Sequence, residues 1–291
     1  MAEWLGRLGV YARFVRFSHT LFALPFALAS MLLAAGGLPP WRVVGWILAA
    51  MLGARTAGMG WNRIADRRLD ARNPRTCRRE LVTGEISLAS AVALTLGAAA
   101  LFALAARQLN PLAWRLVPLV LLSLWFYPLT KRFTHLCHFF VGLVLALAPL
   151  GAWVAVRGEL DLRIAWLGLA VWLWVTGFDV IYATQDLESD RREGVHSLVV
   201  RLGIARALAA ARLLHGAAVL CLAALGPALR LHLPYYAACV SIAALVGMEH
   251  ALVRPADLSR VNLAFFRVNV AISFVTLAGT AAEVLLYGSV G

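Results

Sequence analysis

The fold class predicted from the sequence is an all-α membrane protein, and three observations predict it. Hydrophobic residues fill 62% of the 291 positions and charged residues only 14%, with a mean hydropathy of +0.78. That is more apolar surface than one water-soluble core can hide. Apolar runs of roughly 18 to 25 residues recur along nearly the whole chain, each long enough to cross a hydrocarbon layer of ~30 Å as a helix. No polar stretch between them is long enough for a separate soluble domain, so residues 1–291 read as one membrane domain.

The first apolar run, 18–36, follows Arg7, Arg13 and Arg16 and ends in the small residues "LAAGG". This mimics a signal peptide, but eight further spans follow, so it is read as an uncleaved first helix. The second, 43–62, carries Arg55 and leads into the polar stretch "NRIADRRLD". The third and fourth fall at 87–106 and 112–130, the fourth ending in "YPLTKR". The fifth, 138–156, and the sixth, 163–183, follow, and the sixth passes into "YATQDLESDRREG". The seventh, eighth and ninth occupy 204–226, 233–252 and 264–287. The count is nine transmembrane helices.

A formal net charge of +12 invites a nucleic-acid reading, but the positions of the 26 arginines and one lysine follow the membrane instead. With the amino terminus in the cytoplasm, 19 of the 27 fall in cytoplasmic segments. The opposite orientation inverts that bias and violates the positive-inside rule. The expected partner surface is therefore the lipid bilayer, and no nucleic acid. Cys77, Cys137, Cys221 and Cys239 form no Cys-x-x-Cys pair, so they read as packing residues rather than a zinc site or disulfide framework.

Asn62, Asp66 and Asp70 recur every four residues, which on a helix makes a slowly drifting polar strip. Tyr182, Asp186 and Asp190 repeat the spacing 120 residues later. Spans two and six both run from outside to inside, so the strips emerge at one cytoplasmic surface, where four carboxylates are expected to face each other. Carboxylates at i and i+4 repel even when exposed. A divalent cation removes that objection, and hard oxygen ligands with open positions suit Mg²⁺, which bridges carboxylates to substrate phosphates. Arginines nearby hold phosphate oxygens by charge-assisted bonds; Arg63, Arg67, Arg68, Arg72 and Arg79 stand between that role and simple membrane orientation.

Tyr127, Lys131 and Arg132 reach the same surface at the end of span four, and Lys131 is the single lysine of the chain. A helix-end lysine often snorkels; beside the two strips, a diphosphate ligand is the stronger reading. Arg55 lies two turns deeper than Asn62 on the same face, and an intramembrane arginine is a functional candidate by default. It would bind diphosphate or an acceptor carboxylate, or else pair with Asp179 or another buried acid. Asp179 itself would orient a cation or act as a base. His19, at the start of span one, stands between an interfacial hydrogen bond and a substrate contact; His135 and His138 are left as interfacial polar residues.

These residues resemble the UbiA superfamily of intramembrane prenyltransferases along nearly the whole chain. Its first motif, Asn-x-x-x-Asp-x-x-x-Asp, matches Asn62, Asp66 and Asp70, followed by "NPRTCRRELVTGEIS"; its second, Asp-x-x-x-Asp, matches Asp186 and Asp190 within "DVIYATQDLESDRREGVHS". The "YPLTKR" element and "NLAFFRVN" are similar as well. The resemblance implies nine helices bundled around a central cavity open to lipid, with both aspartate motifs in a cytoplasmic cap. It implies a polyprenyl diphosphate held through two Mg²⁺ ions, Asn62, Asp66 and Asp70 on one and Asp186 and Asp190 on the other, with Lys131, Arg72 and Arg132 beside the diphosphate. Arg55, Tyr127, Asp179, Tyr182 and His19 would contact substrate.

"FSHTLFALPFALASMLLAAGG" and "NPRTCRREL" look most like bacterial 4-hydroxybenzoate polyprenyltransferases of quinone biosynthesis, which implies a multi-pass protein of a bacterial inner membrane. A close subgroup is associated with prenylating a dihydroxynaphthoate in the futalosine branch of menaquinone synthesis. Where many ubiquinone-pathway members carry an "RPLPSG"-like stretch, residues 79–84 read "RELVTG", which leaves the acceptor open. Two rival classes fit less well. CDP-alcohol phosphotransferases need a compact aspartate motif of which "DARNPRT" is a fragment, and an ion-coupled transporter would carry acids near mid-membrane on several spans, whereas 9 of the 15 here cluster at one face.

Overall fold

The computed structural model describes residues 9–288, apart from the Phe17 side chain; Arg7, counted above among the basic residues preceding span one, lies outside them. Among the described residues nine long helices carry the fold: α1 (Thr20–Ala35), α2 (Trp41–Arg72), α3 (Leu88–Leu109), α4 (Pro111–Thr130), α5 (Cys137–Arg157), α6 (Ala165–Ala183), α7 (Ile204–Leu229), α8 (Leu233–Leu252) and α9 (Asn269–Tyr287). Among the described residues eight helical segments are long and apolar enough to cross a membrane, while α1, at 16 residues, is shorter.

Local signals fix several helix ends. The Ser87 side chain accepts from the Ser90 amide at the start of α3, and Asn110 accepts from the Ala113 amide at the start of α4, with Pro111 in the first turn. Gly36 and Gly158 end α1 and α5 in the left-handed conformation that a side chain disfavours. The 32 residues of α2 rise about 48 Å, more than a hydrocarbon layer needs. Its last turns therefore project beyond the apolar zone as a helical stem carrying Asn62, Asp66 and Asp70. The second strip differs from the regular helix its spacing suggests: α6 stops at Ala183, Thr184–Asp186 form a 3₁₀ turn, and Leu187–Glu193 a short helix, so Tyr182, Asp186 and Asp190 lie on three segments.

α1 packs on α5 and α9, α6 on α5 and α7, and α8 on α7 and α9, closing a ring; α2, α3 and α4 pack on one another and on α5. Small residues permit the close approaches, as expected where van der Waals contact drives helix association. A Cβ at Gly53 of α2 would stand 2.7 Å from the Phe102 amide nitrogen of α3, and one at Gly142 of α5 would collide with Thr176 and Trp172 of α6. The interior holds Phe22, Phe26, Trp153, Trp174 and Phe178, whereas Leu122, Leu213, Leu220 and Leu285 are exposed on the outside, the arrangement of a chain whose solvent is lipid. Trp174 donates to Asn269 and Asn269 to Glu249, both at 2.8 Å, tying α6, α9 and α8 through a buried polar link.

Candidate active site

Two adjoining hollows occupy the inside of the bundle. One, of about 240 Å³, lies where the carboxyl ends of α2, α4 and α6 meet the start of α5 and the loop 73–79, and is lined by polar side chains. The other, of about 590 Å³, extends below it between α1 to α6 and is lined mostly by aliphatic side chains and Phe22, Phe102, Phe178 and Phe265. Asn62, Arg79, Tyr127, Val141, Asp179 and Tyr182 border both.

The motif residues do converge on the polar pocket, but three of their four carboxylates, those of Asp66, Asp70 and Asp186, are paired with basic side chains. Lys131 Nζ is 2.5 Å from Asp66 Oδ2, which also accepts from Asn62 at 3.2 Å. Arg79 Nη1 donates to both oxygens of Asp70, at 2.5 and 2.6 Å. Arg75 grips Asp186 through two bonds, Nε to Oδ1 at 2.8 Å and Nη2 to Oδ2 at 2.5 Å, and adds a third from Nη1 to the Tyr182 hydroxyl at 2.8 Å. Asn73 completes Asp186 at 2.9 Å. Burial alone would lower the Arg75 guanidinium; its hydrogen bond to Asp186, with Tyr182 and the acids around it, outweighs that and holds it above the ordinary value. Asp190 lines the pocket without a basic partner.

The expected cluster of facing carboxylates is thus corrected. Among the described residues no group of three acidic, histidine or cysteine side chains stands ready for a metal, because a partly buried carboxylate is stabilised by the nearest cation of the chain itself. The donor set nevertheless fits a hard cation. Asp66 Oδ1 is buried with no hydrogen-bond partner, an oxygen whose lone pairs need a cation or a donor. Asn62, Asp70, Asp186 and Asp190 supply further oxygens of the kind Mg²⁺ prefers around the same pocket.

Other sequence-derived candidates separate by position. Arg72 is 69% exposed and pairs with Glu193 at 3.0 Å, and Arg132 is exposed and donates to the Ala65 carbonyl at 2.6 Å; neither lines the pocket. Arg63 is spent internally on the Phe14 carbonyl at 3.2 Å, while Arg67 and Arg68 are exposed. Arg55 lines the apolar cavity, donates to the Arg16 carbonyl at 3.3 Å, and makes no pair with Asp179. His19 packs against Phe22 and Phe265 with ring centroids 5.2 and 5.5 Å apart. Tyr182 stacks on Phe265 at 4.1 Å, and Tyr127 borders both hollows.

His138, read from the sequence as interfacial, is instead buried and bonded to Asp179 at 2.7 Å. His135 does keep an interfacial kind of partner, the Ser197 carbonyl at 3.2 Å. Arg75 and Asn73 are the site residues that spacing missed; the signal available was the polar stretch "NPRTCRREL" directly after the first motif. Cys137, Cys221 and Cys239 are buried packing residues as expected, whereas Cys77 sits half-buried in the loop.

The sequence profile described as the UbiA prenyltransferase family matches residues 23–271. The chain is 35% identical over 201 residues to a 4-hydroxybenzoate octaprenyltransferase of Shewanella sediminis, covering 68% of this chain and 70% of that one. A second, from Shewanella frigidimarina, matches with the same identity and coverage. Among solved structures, a UbiA homolog from Aeropyrum pernix K1 superposes with a TM-score of 0.83 at 36% identity, covering 91% of this chain and 98% of that one. A UbiA homolog from Archaeoglobus fulgidus bound to DMAPP and Mg²⁺ shares the fold with a TM-score of 0.68 at 19% identity, covering 92% and 98%.

Proposed function

The chain belongs to the UbiA prenyltransferase family and is an integral-membrane prenyltransferase; from that premise we propose that it transfers a polyprenyl group from a polyprenyl diphosphate to an aromatic hydroxy acid of the 4-hydroxybenzoate type, releasing diphosphate. One observation carries this reading: a pocket of carboxylates and cations opens directly onto an aliphatic cavity more than twice its volume. An amphiphile with an anionic head and a long hydrocarbon tail has that shape and polarity.

Departure of diphosphate concentrates negative charge on the leaving oxygens, so cations preorganised around them lower the barrier. Lys131, Arg75 and Arg79 line the pocket for this purpose and already reach its carboxylates. Magnesium, when bound, supplies further neutralisation of the diphosphate, and Asn62, Asp66 and Asp70 on one side with Asp186 and Asp190 on the other are the residues that would hold it. The Archaeoglobus relative, which binds DMAPP and Mg²⁺, supports that ligand pair. Arg72, bonded to the pocket-lining Glu193, and Arg132, bonded to the Ala65 carbonyl, stand outside the pocket and serve the diphosphate as a positive field rather than as direct ligands.

The allylic cation left behind must be kept from water until the ring attacks. The aliphatic walls provide this, and Tyr182, Phe265 and Phe178 bring aromatic faces to the cavity that favour a cation nearby. Arg55, one of the arginines that border this mostly aliphatic cavity, is the natural partner for the carboxylate of the acceptor; His19 and Tyr127 line the same cavity. The excess of basic residues in the segments joined to the polar pocket supports a cytoplasmic amino terminus and active site in a bacterial inner membrane.

The test is direct. Purified protein with Mg²⁺, a short prenyl diphosphate and a panel of 4-hydroxybenzoate, dihydroxynaphthoate and homogentisate is analysed by mass spectrometry. Prenylated 4-hydroxybenzoate is expected. Product from the naphthoate alone reassigns the acceptor, and product from none rejects an acceptor of this class.

A further inference from the structure

We propose that Asp179, held in place by His138, is the proton acceptor of the aromatic substitution. The inference rests on the aromatic acceptor proposed above. When C1 of the prenyl group bonds to a ring carbon, the C1–oxygen bond breaks and its electron pair leaves with diphosphate. The attacked ring carbon then carries both a new carbon and its original hydrogen. Aromaticity returns only when that hydrogen departs as a proton, its bonding pair falling back into the ring. In a cavity walled mostly by aliphatic side chains, a base beside the ring serves this step.

Asp179 is the carboxylate placed for it. Among the described residues it is the one acid that borders both the polar pocket and the aliphatic cavity; Asp66, Asp70, Asp186 and Asp190 border the pocket alone. Three of those four are also engaged by Lys131, Arg79 and Arg75. Asp179 has no basic side chain of that kind. Its Oδ2 is hydrogen-bonded to His138 Nδ1 at 2.7 Å, an imidazole N–H donating to the carboxylate. Among the described residues Oδ1 has no hydrogen-bond partner, and the Asp179 side chain is 27% exposed against 5% for His138. His138 comes from the first turn of α5 and Asp179 from the end of α6, two helices packed closely through Gly142. The ring therefore holds the carboxylate in one orientation, with the other oxygen turned to the hollows. Asp179 accepts the proton; His138 is a positioning residue.

The experiment compares 4-hydroxybenzoate with its ring-deuterated form, using wild type, Asp179→Asn, His138→Leu and His138→Gln. In wild type proton loss is fast and the isotope effect on kcat stays near unity. In Asp179→Asn, kcat is expected to fall on the order of 10²-fold, with a normal primary isotope effect appearing as proton loss becomes rate-limiting. His138→Leu is expected to show a smaller fall with the same isotope effect, and His138→Gln, which keeps an N–H donor, to recover most of the rate. If Asp179→Asn does not fold, His138→Leu carries the test. Wild-type kcat in Asp179→Asn, or a loss of rate in either variant with no isotope effect, overturns the assignment. Turnover by wild type in the same assay establishes the acceptor reading separately, so a silent isotope effect counts against Asp179 alone.

Discussion

Lys131 Nζ stands 2.5 Å from Asp66 Oδ2, although the two residues belong to different helix ends 65 positions apart, and the second oxygen of Asp66 is buried without a partner. The only lysine of the chain is thus the resident counter-ion of a carboxylate that is 2% exposed. The pair links stability to ligand binding, because the same negative charge can be balanced by the lysine or by a metal.

Lys131→Met leaves Asp66 buried without its cation, and an unpaired buried group of this kind costs about 1–3 kcal/mol. Thermal unfolding in detergent should show a lowered midpoint that excess Mg²⁺ restores, with a larger magnesium shift in the variant than in wild type. An unchanged midpoint, or a magnesium shift equal in both, contradicts the exchange of one cation for the other.

Asp66→Asn and Asp186→Asn preserve shape and remove charge from each half of the pocket. Prenyl transfer should drop by at least about 10²-fold, the scale for loss of a preorganised electrostatic contact, and chelation of magnesium should silence wild type likewise. Both variants should still fractionate with membranes, since neither changes an apolar span. Near-normal turnover in either would remove the aspartates from the mechanism.

Arg75 and Arg72 offer a paired comparison three residues apart. Arg75 enters the pocket and holds Asp186 and Tyr182, whereas Arg72 stays outside the lining and pairs with Glu193 at the pocket edge. Arg75→Gln should raise KM for the prenyl diphosphate by roughly tenfold or more, as loss of a charged hydrogen bond does, and Arg72→Gln should change it much less. Steady-state kinetics over donor concentration decide; equal effects would mean that Arg72 swings inward when donor binds.

Arg55→Ala tests the aliphatic cavity next to the pocket. If this guanidinium holds the acceptor carboxylate, KM for the aromatic acid should rise about 10- to 100-fold, from ~1.5–3 kcal/mol for a charged hydrogen bond, with KM for the donor little changed. A rise confined to the donor would move Arg55 to the diphosphate, and no change in either constant would remove it from the site.

Much of this site was visible before any fold. Asn62, Asp66 and Asp70 keep their spacing on the stem of α2, and Lys131 arrives beside them as the end of span four suggests. Both readings depend on helical periodicity and on where an apolar run stops, which are local properties. Arg75 and His138 were not visible in that way. Arg75 meets Asp186 across 111 residues and His138 meets Asp179 across 41, and no spacing rule marks such pairs. Arg72 shows the converse, since its nearness in sequence to the first motif says nothing of the direction in which its side chain leaves the last turn of α2.

By itself, the sequence determined that this chain is a helical membrane protein, that its polar chemistry gathers at one end of the spans, and that two aspartate strips belong together there. Hydropathy and the 3.6-residue turn act within a few residues, so the primary structure carries them in full. The tertiary structure decided which cation neutralises which carboxylate, that the second strip breaks at a 3₁₀ turn, and that Asp179 alone among the described acids borders both hollows. Those outcomes depend on how closely α2, α4, α5 and α6 approach one another, and that distance is set by side chains and glycines far apart in the chain.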